Sequence, residues 1–82
     1  MSKHIINTIC GSLMKEIRES QNIGIKYAAM ESGIAISKLS KIENGHQLLD
    51  MITLYELCKV YDIDPGAFAT IVGNQYLKHI PY

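Results

Sequence analysis

Apolar residues recur every three or four positions near the N-terminus: Ile6, Ile9, Leu13 and Ile17, with Cys10 and Met14 beside them. That spacing gathers them on one face of an α-helix. It predicts a first helix from about Thr8 to Gln21, with an earlier start near His4 left open. Gly11 falls inside it and weakens its N-terminal half by roughly 1 kcal/mol relative to alanine. Asn22 and Gly24 break the pattern. A second helix is expected over Ile25 to Ser32, closed by Gly33 as a left-handed cap. A third is expected over Ile36 to Asn44, again ended by a glycine, Gly45, and His46 to Leu49 read as a loop. Asp50 is a good N-cap for a fourth helix running to about Tyr61. Its buried stripe should be Met51, Leu54, Leu57, Cys58 and Tyr61. Asp64 and Pro65 open a fifth helix, with proline at the favoured first position, and this helix is expected to end near Gly73. Residues 74–82 are then a tail carrying Tyr76, Leu77, Ile80 and Tyr82. No strand signal, internal repeat or linker interrupts the pattern. The expected fold is all-α, a compact five-helix bundle, with residues 1–82 forming one domain.

The stretch from Ala28 to Gly45 carries most of the information. A small residue, Ala29, precedes the turn glycine Gly33, and an apolar residue, Ile34, follows it. Leu39 and Ile42 lie one turn apart on the third helix. This is the layout of a helix-turn-helix, whose second helix is presented to a DNA major groove. At 100° per residue, inward Leu39 and Ile42 leave Ser37, Lys41 and Asn44 pointing out, Ser40 less centrally so, and Lys38 at the flank. A hydroxyl or a lysine on such a face can bond base edges or phosphates, and Lys41 is the best candidate for reading a base.

Charge qualifies this picture. Lys and Arg together number 8, Asp and Glu number 8, and the formal net charge is zero. A chain that held nucleic acid by bulk charge would be basic. Local placement decides instead: Lys26, Lys38 and Lys41 stand against Glu31 and Glu43 between Gly24 and Leu49. The hydrophobic fraction of 48% argues against disorder. Cys10 and Cys58 fall among helix-periodic apolar residues and read as reduced core residues of a cytoplasmic protein. No apolar run approaches the roughly 18 residues that span a bilayer, and no signal peptide is visible.

Taken together, Ile17-Arg18, Ala29, Gly33-Ile34, the run Leu39-Ser40-Lys41-Ile42-Glu43-Asn44-Gly45, and then Leu54, Leu57, Tyr61, Ile63 and Phe68 resemble the lambda-repressor-like helix-turn-helix family. That family includes phage Cro proteins, xenobiotic-response-element-type regulators and many antitoxins. The resemblance covers about residues 13–68. It implies an ion pair between Arg18 and Glu43 tying the first helix to the end of the third. It also implies that Asn44 and His46 fall where a loop meets backbone phosphates. The expected function is a sequence-specific DNA-binding transcriptional regulator, a repressor acting as a homodimer on a palindromic operator, without cofactor or metal. The DNA-facing set is Lys26, Ile36, Ser37, Lys38, Ser40, Lys41, Asn44 and His46.

Several positions depart from the family pattern. Gly24 and Ile25 stand where the second helix usually opens with Ser or Thr and then Gln. Ala35 and Ile36 stand where Ser and a polar residue open the third. Alanine is a poor N-cap, costing roughly 1 kcal/mol. Isoleucine can touch a thymine methyl but reads no donor or acceptor. These departures, with Leu48 and Leu49, motivate an alternative: a protein-interaction module that keeps the scaffold and turns Ile25, Ile36, Leu48 and Leu49 toward a protein partner.

Catalytic chemistry finds no constellation. His4, His46 and His79 are far apart in sequence, without metal-ligand spacing. Asp62, Asp64 and Gly66 resemble the opening of a calcium loop, but the glycine comes one position early and the later glutamate is missing, so a helix cap and turn are expected. There is no glycine-rich phosphate loop and no nucleophile elbow. The apolar tail, Tyr76, Leu77, Ile80 and Tyr82, is expected to serve dimerisation, because exposed apolar groups mark interfaces. Folding back within one chain is the other reading.

Overall fold

Helix ends, more than helix interiors, set the path of this chain. The computed structural model describes residues 4–79. Its elements are α1 (Ile5–Ser20), α2 (Ile25–Ser32), α3 (Ile36–Glu43), α4 (Met51–Tyr61) and α5 (Pro65–Leu77). The early start of α1 has a cause: His4 is its N-cap, and its ring Nδ1 accepts from the Ile6 N–H at 3.2 Å. Asp50 and Asp64 cap α4 and α5 in the same way, through the N–H groups of Thr53 and Ala67.

The C-terminal ends of α1 to α4 share one device. Asn22, Gly33, Gly45 and Asp62 all have positive φ. After each, the next N–H reaches back to a carbonyl five residues earlier: Ile23 to Arg18, Ile34 to Ala29, His46 to Lys41 and Ile63 to Cys58. Those bonds satisfy carbonyls that the helix leaves without partners, and they reverse the chain sharply. Ile23, Ile34 and Ile63 are thereby folded back onto the core.

The core itself is built from Met14, Ala28, Leu39, Ile42, Leu57, Tyr61 and Phe68, all essentially without solvent contact. Helix α1 packs against α3 and α5, and α2 packs against α3 and α4. Gly11 sits where α1 crosses the end of α3. A Cβ there would collide with the carbonyl oxygen of Ile42. The glycine that weakens α1 as an isolated helix is what lets the two backbones meet.

Two expectations are corrected. Helix α5 does not stop at Gly73 but runs on to Leu77. Gly73 lacks the positive φ that closes the earlier helices. Tyr76, one turn beyond Val72, packs on the same core, which draws the helix onward. Met51 is not in the buried stripe of α4; it is 60% exposed, and Thr53 takes the inward place. Thr53 can do so because its hydroxyl donates to Asp50 Oδ2 at 2.9 Å, leaving no polar group bare. Among the described residues no helix is long and apolar enough to cross a membrane.

Candidate nucleic-acid interface

Helix α3 is held from behind and open in front. Leu39 and Ile42 are fully buried. Ser37, Lys41 and Asn44 are exposed, Ile36 is 47% exposed, and Ser40 and Lys38 are half-buried. Lys26 on α2 and His46 in the following loop are also exposed. These side chains are not equally free. Lys38 Nζ lies 3.1 Å from Asp50 Oδ2, so its charge is drawn back toward α4. Asn44 Nδ2 donates to the Ser40 carbonyl at 2.9 Å and helps to end α3. Lys26, Lys41, Ser37 and Ile36 make no side-chain bond of this kind among the described residues. With Glu43 only 6% exposed, that acid subtracts little from the positive face.

The N-termini of α2 and α3 add to this surface. Neither Gly24 nor Ala35 supplies a capping side chain. The first-turn N–H groups of both helices therefore keep their donor capacity, which suits an anionic oxygen.

Behind the face stands the Arg18–Glu43 pair. Arg18 Nε donates to Glu43 Oε2 at 2.8 Å and Nη2 to Oε1 at 3.0 Å. The remaining nitrogen, Nη1, donates to the Ile23 carbonyl at 2.7 Å. Both side chains are buried. One guanidinium thus joins α1, the turn after it and the last residue of α3. The hydrogen bonds that Arg18 donates to the Glu43 carboxylate raise its pKa, so the charge is held on. Removing one partner from such a buried pair leaves an uncompensated charge and costs about 3–5 kcal/mol. Sequence spacing did not expose the Ile23 carbonyl or the Lys38–Asp50 contact, because each forms across a turn or loop, where helical periodicity carries no signal.

The other expected surfaces divide. Tyr76 is half-buried on the protein's own core, Leu77 is 49% exposed, and Ile80 and Tyr82 lie outside the described residues. Of the four residues assigned to a protein partner, Ile25 and Leu49 pack against the core while Ile36 and Leu48 are exposed. Ile25 opens α2, and Leu49 lies in the loop before α4. Among the described residues no three His, Cys, Asp or Glu side chains gather as a metal site.

Comparison with known proteins agrees with this arrangement. No curated protein is significantly similar in sequence. The restriction-modification controller protein C.AhdI from Aeromonas hydrophila superposes with a TM-score of 0.76 at 20% identity, over 79% of this chain and 98% of that one. The wild-type controller protein C.Esp1396I gives 0.80 at 19% identity, over 94% and 100%. The clp gene regulator ClgR from Corynebacterium glutamicum gives 0.77 at 15% identity, over 94% and 86%. At these identities the likeness is one of fold. A family model described as helix-turn-helix matches residues 14–68, the span from the buried Met14 to the buried Phe68. The chain belongs to the helix-turn-helix family of the Cro/C1 type, a family of DNA-binding regulators.

Proposed function

We propose that this chain is a cytoplasmic transcriptional regulator that binds duplex DNA as a homodimer, laying α3 of each copy in a major groove of a palindromic operator and repressing by blocking polymerase. The observation that carries this reading is the division of α3: Leu39 and Ile42 sealed in the core, Ile36, Ser37 and Lys41 open to solvent. Lys41 is the base reader, with Ser37 and Ser40 beside it and Ile36 available to a thymine methyl. Lys26, Lys38, Asn44 and His46 serve phosphates. That the fold is shared with named gene regulators supports the reading.

The test begins with a titration of salt against binding to random duplex DNA. A DNA binder loses affinity steeply as salt rises, through counterion release. A site recovered by selection from random duplexes then allows the variant Lys41→Ala to be measured. It should weaken specific binding by about 1–3 kcal/mol. Absence of salt-sensitive binding would leave only the protein-interaction reading, now reduced to Ile36 and Leu48.

A further inference from the structure

We propose that Ile36 reads the C5-methyl group of a pyrimidine and nothing else of the base, so that thymine and 5-methylcytosine are accepted alike and cytosine methylation of a site raises its affinity. This specificity rests on the DNA-binding reading of α3 above and names the chemistry that its first position takes.

The N-terminal residues of a helix laid in the major groove are the ones that meet base edges. In α3 these are Ile36 and Ser37, with Ala35 before them as N-cap. Ala35 makes no side-chain hydrogen bond. The other polar side chains near this end are engaged or distant. Lys38 Nζ lies 3.1 Å from Asp50 Oδ2. Ser40 is half-buried, and its hydroxyl oxygen accepts from Asn44 Nδ2 at 3.4 Å. Lys41 stands more than one turn farther along the helix. Ile36, 47% exposed, is therefore what the first turn offers a base besides the Ser37 hydroxyl.

An aliphatic side chain has no donor and no acceptor. Among the groups that base pairs present in the major groove, the C5-methyl of thymine is the apolar one. The methyl of 5-methylcytosine sits on the same ring carbon and projects into the same groove. Beside it the two bases differ, at O4 of thymine and at the amino group of cytosine, and isoleucine bonds neither. Serine pairs with donors and acceptors alike, so Ser37 does not separate the two bases. The opening of α3 thus senses the methyl rather than the base that carries it. Covering one methyl-sized group changes affinity by about fourfold. A two-fold complex makes the contact twice, and distant contacts add in free energy, so changing both half-sites gives about fifteenfold.

The experiment is fluorescence anisotropy of the full chain on the site selected from random duplexes. Each pyrimidine of the site is altered in its methyl alone: thymine to uracil and, in duplexes where a C·G pair replaces T·A, cytosine to 5-methylcytosine. At one pyrimidine position per half-site, uracil should weaken binding about fourfold, and 5-methylcytosine should strengthen the C·G duplex by a similar factor. Both increments should vanish in Ile36→Ser. Both should persist in Lys41→Ala, which lowers affinity for every duplex. Thermal melts check that the variants are folded, and the duplex changes leave the protein itself untouched. A site whose affinity ignores every C5-methyl, a response to the thymine methyl without one to 5-methylcytosine, or a response that survives in folded Ile36→Ser would each overturn the proposal and leave the reading of α3 standing. Failure to recover any site from random duplexes would overturn that reading and this specificity with it.

Discussion

Tyr61 has the single buried side-chain polar atom among the described residues that finds no hydrogen-bond partner. Its hydroxyl is sealed in the core, and burial, then the charge of Glu43, pushes its pKa up to about 12. A buried unsatisfied hydroxyl costs about 1–3 kcal/mol. Tyr61→Phe keeps the ring and removes that cost, so urea unfolding should give a stability equal to wild type or higher by up to about 1 kcal/mol. The raised pKa also means that wild type is stable below pH 10 and loses stability as pH climbs from there toward 12; the Phe variant should lack this part of the alkaline loss. Asp50 runs the other way. The Thr53 N–H, then Lys38, hold its carboxylate at a pKa of about 2. Its contribution is complete above the ordinary value of 3.8 and fades as pH falls through about 2. Asp50→Asn should flatten the acid limb of a melting-temperature profile, and an unchanged limb would show that the cap and the Lys38 contact carry no linked energy.

At the level of elements, the five helices were legible because their punctuation is local. Gly33, Gly45, Asp50 and the Asp64-Pro65 pair each act within a few residues, and periodicity supplied the rest. What was not legible depended on partners from elsewhere in the chain. Nothing near Gly73 says that Tyr76 will find the core and carry α5 another turn. Met51 is an exception, missed because hydropathy ranks it above Thr53, whose hydroxyl is satisfied locally by Asp50. Gly11 is the clearest case: its local effect is unfavourable, and its value lies entirely in the carbonyl of Ile42 across the α1–α3 seam. Gly11→Ala therefore sets two effects against each other. Helix propensity favours alanine by about 1 kcal/mol. Overpacking against backbone, which cannot rotate away, costs about 1–3 kcal/mol. The net expectation is a less stable protein; a Gly11→Ala variant that melts higher than wild type would mean that α1 and α3 do not approach as described.

For the molecule as a whole, zero net charge makes the salt titration more informative. Affinity for random DNA cannot come from bulk charge, so any slope reports the local face. Each neutralised phosphate adds about 0.9 to the slope of log affinity against log salt. Lys26 and Lys41, with Lys38 partly withheld by Asp50, supply only a shallow dependence per copy. The candidate face was legible in outline, since Leu39 and Ile42 fix which side of α3 looks out. Its working members were less so, because the withdrawal of Lys38 and Asn44 depends on Asp50 and on the end of the helix. That division separates what the scaffold needs from what it merely displays. Glu43, Leu39 and Ile42 are committed to the bundle, and Lys38 and Asn44 are shared with it. Ile36, Ser37 and Lys41 lend the bundle no side-chain hydrogen bond or ion pair, although Ile36 is only about half exposed. Ser37 and Lys41 above all are therefore the letters that a designer, or natural selection, could rewrite at least expense to the fold.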